Sequence, residues 1–329
     1  MAKLSKYASV GETRKVLERH GLATKHALGQ NFLVNDDILK KIVDLAALDG
    51  ADDVLEIGPG IGTLTVTLLQ NARSVISVEF DLDLPAVLAE TTAPWADSFA
   101  LIENDALNVS SADVETAFAR VHADAGADDA GADDADSTRV EQASSARSFP
   151  NKLVANLPYA VAATVVLDYF QRFDALESMT VMVQREVADR MMAQPGVKDY
   201  GAFTVKLSLY AQPAGRFPVG PGNFFPPPRV DSAVIRLDRR NCCDEQGNPL
   251  TAEEVRAACL MADAAFATRR KTLSNSCKTF FSGKGEQGKR VAVQLPALFE
   301  QAGIDARRRG ETLTQAEFIA LARAYLACC

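Results

Sequence analysis

Residues 53–62 read DVLEIGPGIG, and this stretch decides the fold class. A short apolar run ends at Ile57 and passes directly into a glycine turn, Gly58-Pro59-Gly60, after which 64–69 resumes with helical spacing. This order predicts a buried strand, a tight turn and a helix. Because a glycine turn after the first strand of an α/β sheet lets the backbone approach a ligand closely, the same stretch is a candidate binding site.

Further β-rich runs follow along the first 240 residues. They lie at 74–78, 99–102, 152–155 and 179–183, with helix-compatible stretches between most of them. Strands that alternate with helices predict an α/β fold with a parallel, doubly wound, Rossmann-like sheet. Residues 199–211 are expected to be helical, and 230–237 to form a late strand at the edge of the sheet.

The pattern changes after residue 249. From Thr251 onward only helical periodicities occur, and Glu254, three residues later, completes a capping box that begins a helix. A length of 329 residues also suggests about two domains. We therefore predict an α/β domain over 1–240 and a small all-helical C-terminal domain over 250–329.

Composition narrows the classes of function. With 47% hydrophobic and 24% charged residues the chain resembles ordinary globular proteins, and no stretch approaches the roughly 20 apolar residues of a membrane span. The first 30 residues carry charges throughout, unlike a signal peptide, so a cytoplasmic protein without membrane contact is expected. Six cysteines without CxxC spacing and three histidines argue against a metal site and against a Ser-His-Asp triad.

The net charge of −8 is unevenly distributed. Residues 1–41 hold eight basic and four acidic side chains, and 236–329 hold fifteen and eleven, so both ends are basic. Residues 122–148 hold seven acids and two arginines among Ala, Gly and Ser, which predicts a disordered, solvated insertion. The basic clusters are local patches of the kind that contacts nucleic-acid phosphates, although a charge run on its own is more often a solvated helix face. They comprise Arg269, Arg270 and Lys271; Lys289 and Arg290; and Arg307, Arg308 and Arg309.

The strand ends indicate the class of cofactor. The third glycine of GxGxG comes one residue earlier than in a dinucleotide fingerprint, and the strand ends in the acidic Glu56. Glu79 comes 21 residues after Gly58, where its carboxylate can accept hydrogen bonds from both ribose hydroxyls, and Asp105 follows the third strand, where it can accept from an adenine amine. The phosphate-binding motif GxxxxGK[ST] does not occur. These features favour S-adenosylmethionine.

The fourth strand passes directly into Asn156-Leu157-Pro158-Tyr159. The carbonyl oxygens of the Asn156 side chain and of the Leu157 backbone can accept hydrogens from a planar exocyclic amine. Pro158 sets the turn, and Tyr159 can stack on a base. The tetrapeptide predicts a site that recognises an amine, although on its own it could be only a turn that ends a strand.

The ordered motifs resemble those of the small-subunit ribosomal RNA adenine dimethyltransferases. Besides the stretches quoted above, the resemblance rests on LGQNFL at 28–33, QREV at 184–187, FFPPPRVDSAV at 224–234 and RRKTL at 269–273, and it leaves out only 112–150. The resemblance implies a class I methyltransferase sheet with cofactor contacts at Asn31, Leu33, Gly58, Gly60, Glu79, Asp105 and Asn156. It also implies a target adenine held between Tyr159 and Phe224, although the sequence around Phe224 favours a core position.

The activity implied is dimethylation of the N6 nitrogens of two adjacent adenines near the 3′ end of small-subunit rRNA, within an immature 30S particle and by a monomer. Two alternatives stay open. One is the related large-subunit adenine methyltransferase that confers macrolide resistance, which has the same cofactor motifs. The other is an RNA-binding ribosome assembly factor without catalysis. FATRRKTLSNS at 266–276 favours the small-subunit type, and intact Asn156 and Asp105 favour activity.

Overall fold

A computed structural model describes residues 4–25, 29–123 and 147–328. Most of the acidic insertion expected at 122–148, namely 124–146, lies outside these residues. Internal contacts divide the chain into two compact units, Met1–Arg185 with Pro213–Asp238 and Glu186–Gln212 with Arg239–Cys329. The division expected from the sequence differs from these units, since it assigns 186–212 and 239–240 to the first domain.

The elements follow in chain order. The N-terminal half contains α1 (Val10–Arg19), β1 (Phe32–Leu33), α2 (Asp36–Ala46), β2 (Asp53–Ile57), α3 (Thr63–Leu69), β3 (Ser74–Glu79), α4 (Pro85–Thr91), β4 (Phe99–Glu103), α5 (Ser111–His122), β5 (Lys152–Asn156) and α6 (Ala162–Arg172). The C-terminal half contains β6 (Ser178–Gln184), α7 (Arg185–Met191), α8 (Ala202–Ser208), β7 (Ala211–Val219), β8 (Phe224–Phe225), β9 (Ser232–Arg239), α9 (Ala252–Phe266), α10 (Leu273–Ser282), α11 (Gly285–Gln301) and α12 (Gln315–Cys328).

The first unit is built on a seven-stranded sheet with the order β4-β3-β2-β5-β6-β9-β7. Strands β4, β3, β2, β5 and β6 are parallel, and β9 pairs antiparallel with β6. The order reverses at β2, because β3 and β4 lie on one side of it and β5 and β6 on the other. Such a switch point opens a crevice at the carboxyl ends of the strands, where α/β proteins bind ligands. The predicted Rossmann-like fold is confirmed.

Strands β1, β7, β8 and β9 differ from the prediction. β9 does not lie at the edge, because β7 continues the sheet beyond it. β7 contains Pro213 and Pro218, which cannot donate to a ladder and are tolerated in edge strands, and this composition conceals the strand in the sequence. β1 and β8 form a separate two-stranded antiparallel sheet that places Phe32 opposite Phe225 and Leu33 opposite Phe224.

The central strand β2 is buried along its whole length, including its two acidic residues. At its start Asp53 accepts from the Arg73 Nε at 3.0 Å and from the Ser74 hydroxyl at 2.6 Å. A buried charge needs such partners, and the contacts among Asp53, Arg73 and Ser74 join the amino-terminal ends of β2 and β3. The opposite ends of the strands are therefore free to carry the ligand site.

The second unit has its own hydrophobic core of helical residues, among them Met261, Leu273, Leu298 and Phe318. Its first long helix, α9, begins with the predicted capping box. The Thr251 hydroxyl accepts from the Glu254 amide at 3.2 Å, and the Glu254 carboxylate accepts from the Thr251 amide at 2.8 Å. In the described part of the chain, none of the helices has both the length and the apolar character needed to cross a membrane.

Candidate active site

A cavity of about 530 Å³ opens at the carboxyl ends of β4, β3, β2 and β5. This volume lies within the roughly 300–1,000 Å³ that small-molecule sites occupy. The predicted residues that line the cavity are Asn31, Leu33, Gly58, Gly60, Glu79, Asp105, Asn156, Leu157, Pro158 and Tyr159. The ends of four neighbouring strands and the segment at β1 thus bring together residues that are up to 128 positions apart in the sequence.

The glycine turn forms the floor of the cavity beside β3. The Gly60 amide donates to the Glu79 carboxylate at 3.2 Å, and the Gly58 amide donates to the Val78 carbonyl at 2.9 Å. Gly60 has a φ of +60°, and a Cβ there would lie 3.0 Å from the Phe32 ring. Its backbone conformation therefore favours glycine, and a larger residue would also press on the Phe32 ring.

Glu79 ends β3 with its carboxylate in the cavity wall. One oxygen accepts from the Gly60 amide and the other from the Asp81 amide at 2.9 Å. Burial raises the pKa of this carboxyl above its ordinary value, and the two backbone donors oppose that shift. Each carboxylate oxygen can accept a second hydrogen bond. The two acceptor oxygens thus fit a ligand whose two neighbouring hydroxyls donate to them.

Asp105 lies in the turn after β4, beside Glu79. Its Oδ1 accepts from the Leu107 amide at 2.9 Å, while Oδ2 has no hydrogen-bond partner among the residues that the structure describes. Because Asp105 also lines the cavity, its second oxygen is free to accept from an amine.

Asn156 is the last residue of β5, and its side-chain amide is held by a backbone group of the segment before β1. The amide Nδ2 donates to the backbone carbonyl of Asn31 at 3.1 Å. The next peptide is also fixed, since the Leu157 amide donates at 3.1 Å to the carbonyl of Met182 in the neighbouring strand β6. Pro158 begins the turn that leads into α6, and its carbonyl accepts from Val161 at 3.1 Å.

Tyr159 follows in the same turn with its ring at the cavity. Its hydroxyl shares a hydrogen bond of 2.6 Å with the hydroxyl of Ser232, which is fully buried at the start of β9. Burial raises the pKa of the Tyr159 phenol, so the hydroxyl stays protonated near neutral pH. The contact anchors the hydroxyl end of the Tyr159 side chain.

The structure corrects the expectation for Phe224. Its side chain is 3% exposed and packs in the core with Leu33, Ile38 and Leu39, outside the cavity lining. The antiparallel pairing of β8 with β1 sets Phe224 opposite the buried Leu33, and this pairing turns the ring inward. Phe224 is therefore not placed to stack on a base in this conformation.

The cavity lining also includes residues that were not predicted as site residues, among them Phe80, Gln30 and Glu56. Phe80 follows Glu79 and stays 60% exposed at the mouth of the cavity, although an aromatic residue after a strand-end acid was a usable signal. Gln30 lies inside a quoted motif without a predicted role. Glu56 is buried with its Oε2 accepting from the Thr65 and Ser77 hydroxyls, each at 2.7 Å, and burial raises its pKa to about 7.

The basic clusters of the second unit divide into paired and free side chains. Arg308 makes a bidentate ion pair with the Glu317 carboxylate. Arg307 pairs with Asp305 at 3.0 Å, and the guanidinium of Arg309 lies 3.8 Å from the Glu311 carboxylate. Arg269 lies 3.5 Å from Glu311 and also donates to the backbone carbonyls of Lys198 and Tyr200. These pairings reduce the positive charge that the clusters can offer to RNA.

Arg270 and Lys271 are different. Both side chains are exposed, and neither forms an ion pair with any residue in the described ranges. They are the members of the first cluster that remain available for phosphates. In the same described ranges, no group of three His, Cys, Asp or Glu side chains could hold a metal ion.

Comparison with known proteins gives one consistent family. The model of the family "Ribosomal RNA adenine dimethylase" matches residues 21–320. The "Ribosomal RNA small subunit methyltransferase A" of Geobacillus kaustophilus is 38% identical over 317 residues, which are 96% of either chain.

Two solved structures share the fold. A dimethyladenosine transferase from Plasmodium falciparum gives a TM-score of 0.63 at 21% identity, over 88% of this chain and 95% of that one. The 23S rRNA methyltransferase ErmE gives a TM-score of 0.55 at 21% identity, over 89% of this chain and 99% of that one. Together with the sequence matches, the geometry of the cavity leads to one conclusion: the chain belongs to the ribosomal RNA adenine dimethylase family.

Proposed function

We propose that this chain transfers methyl groups from S-adenosylmethionine to the N6 nitrogens of two adjacent adenines near the 3′ end of small-subunit rRNA. The observation that carries the proposal is the Asn156 amide. Its Nδ2 is engaged by the Asn31 carbonyl, so its Oδ1 is the end left for an incoming amine. It stands at the rim of the cavity that Glu79 and Asp105 also line.

The cavity fits the cofactor. Glu79 offers two carboxylate oxygens to the ribose hydroxyls, Asp105 offers Oδ2 to the adenine amine, and Phe80 provides an apolar face beside them. When bound, S-adenosylmethionine supplies an activated methyl group on a sulfonium. The residues that would hold it are Asn31, Leu33, Gly58, Gly60, Glu79, Asp105 and Asn156.

Asn156 and the Leu157 carbonyl act on the target amine. Two carbonyl acceptors at one side of an exocyclic amine draw its hydrogens toward them, and the lone pair then points toward the methyl donor. Catalysis in this arrangement is mainly positioning and electrostatic alignment. The nitrogen that gains a methyl group carries a positive charge and releases one of its hydrogens as a proton to water, so no strong general base is needed. Tyr159, whose hydroxyl is anchored by Ser232, provides the surface on which the adenine stacks.

An adenine can reach this cavity only when it is unstacked from its neighbours, as in other enzymes that modify bases. Arg270 and Lys271 are the basic side chains that we assign to phosphate contacts, with Arg307 and Arg309 as weaker contributors because of their partial pairing. We assign the chain to an immature 30S particle, as a monomer acting in the cytoplasm. The curated relative of Geobacillus kaustophilus carries a small-subunit name and supports this choice of particle.

The test is methyl transfer in vitro. The full-length protein, labelled S-adenosylmethionine and 30S subunits from cells that lack the protein should give dimethyladenosine, identified by mass spectrometry of the digested rRNA. The control substrate is the 50S subunit from the same cells. Incorporation into 50S subunits alone would support the large-subunit alternative, and binding to 30S subunits without incorporation would support the assembly factor.

A further inference from the structure

Asp81, in the loop after β3, is mostly buried and holds two side chains of the N-terminal segment. Its Oδ2 accepts from the Gln30 side-chain amide at 2.6 Å, and its Oδ1 accepts from the Lys25 ammonium at 2.5 Å. The pKa of Asp81 is lowered, because the stabilising bonds from Lys25, Asp83 and Gln30 outweigh the opposing effect of burial. The carboxylate is therefore charged at neutral pH.

The Gln30 amide is held at both ends. While its Nε2 donates to Asp81, its Oε1 accepts from the backbone amide of Lys25 at 2.9 Å. A side chain fixed at both polar atoms cannot turn without breaking two hydrogen bonds. Asp81 thereby fixes the chain at residue 30, immediately before Asn31.

The Asn31 carbonyl is the acceptor for Asn156 Nδ2, at 3.1 Å. Only the amino end of a carboxamide can donate to a carbonyl. If the Asn156 amide were flipped, two oxygens would face each other at this distance. The position of the Asn31 carbonyl therefore decides that Oδ1 of Asn156, and not Nδ2, is left for another partner.

We propose that Asp81 is a positioning residue for methyl transfer, which acts through Gln30 and the Asn31 carbonyl to orient the Asn156 amide. This inference rests on the proposed function, because it takes Asn156 Oδ1 as the acceptor of the target amine. The same loop also contacts the cofactor side of the cavity, since the Asp81 backbone amide donates to Glu79. One loop thus sets both the ribose-binding carboxylate and the amine-binding amide.

The first experiment is Asp81→Asn. The new amide keeps an oxygen for Lys25 but turns its amino end toward the Gln30 amino group, and two donors repel. We expect kcat to fall roughly tenfold, as for other small displacements of positioned groups, with an unchanged KM for 30S subunits. In nuclear magnetic resonance spectra of the ligand-free protein, the Asn156 side-chain amide signals should shift and exchange faster with water.

The double variant Asp81→Asn with Gln30→Glu reverses the donor and the acceptor of the same hydrogen bond. It should restore the Asn156 amide signals and recover most of the lost kcat. The matched control is Asp83→Asn, because Asp83 shares Lys25 with Asp81 at 2.5 Å but does not contact Gln30. This control should leave kcat within about twofold of the wild type and the Asn156 signals in place.

Unchanged Asn156 signals and kcat in Asp81→Asn would overturn the inference while leaving the proposed function standing. A double variant that stays as impaired as the single variant would also overturn it. Conversely, a wild-type protein that methylates no rRNA would refute the proposed function. The amide signals of the ligand-free variants would still decide whether Asp81 orients Asn156.

Discussion

The cavity of the first unit and the basic clusters of the second unit both consist of residues that the sequence predicts to be functional. The two sets differ in the partners that their polar groups have in the folded protein. In the cavity, Glu79, Asp105 and Asn156 use backbone groups as partners and keep acceptor oxygens for a ligand. In the clusters, Arg308 and Arg269 use their guanidinium groups on neighbouring carboxylates and carbonyls of their own unit.

The difference follows from where the side chains are anchored. Parallel strands end together, so residues at their carboxyl ends must share one edge, and backbone amides of the turns satisfy part of each polar group. Charges in loops between helices have no such constraint and pair with whichever opposite charge lies near. A polar residue at a strand end is thus a stronger indicator of a site than a charged residue in a run.

The largest expected effect is in the cavity. Asn156→Ala should lower methyl transfer by about 10²–10³-fold, the usual cost of removing a preorganised polar group that acts on the reacting atoms. Its fold should be kept, because the half-buried amide contributes little to the core. The rate is measured with 30S subunits, with the exposed Asn108→Ala as control. A near wild-type rate would remove Asn156 from the proposed chemistry.

The buried Glu56 predicts a pH-dependent free energy of unfolding. Its pKa is about 7 in the folded protein against 4.5 for an ordinary glutamate, so below pH 4.5 both states are protonated and the group has no effect. As pH rises toward 7, only the unfolded state ionises, and stability falls by on the order of 3 kcal/mol. Urea unfolding at several pH values should show that Glu56→Gln removes this loss. Parallel curves of unfolding free energy against pH for the wild type and Glu56→Gln would contradict this prediction.

Glu79→Ala should weaken cofactor binding at least tenfold, because a hydrogen bond to a charged acceptor contributes about 1.5–3 kcal/mol. Glu103→Ala provides a matched control. Glu103 lies opposite Glu79 in the register of β4 and β3 but is exposed and outside the cavity lining. Calorimetry with S-adenosylmethionine measures both variants. Equal affinities would exclude Glu79 from the ribose site.

The smallest effects distinguish free from paired basic residues. Replacing Arg270 and Lys271 with Ala should reduce the slope of log affinity for RNA against log salt by about 0.7–0.9 per lost phosphate contact. Arg308→Ala should instead leave that slope unchanged and lower stability by about 1 kcal/mol, because its partner is Glu317. Binding titrations at several salt concentrations and thermal unfolding test both. A slope change in Arg308→Ala alone would reverse the assignment.

The sequence by itself determined the fold class and the location of the cavity. The alternation of apolar runs and helical stretches predicts the parallel sheet, and the glycine turn, Glu79, Asp105 and Asn156 all come at strand ends, which topology gathers at one edge. The capping box at Thr251 could equally be predicted from the sequence, because its two residues are only three positions apart. For these features the residue types and their spacing carry the information.

Tertiary structure decided the partners. Phe224 became a core residue through pairing with β1, and β7 formed at the sheet edge although its prolines disfavour strands. Arg308 forms an ion pair with Glu317, and the Asn156 side chain donates to the carbonyl of Asn31, 125 residues away. The contacts of Phe224 and Asn156 join positions far apart in sequence, so no local pattern indicates them. They exist only once the packed chain has brought those groups within hydrogen-bonding distance.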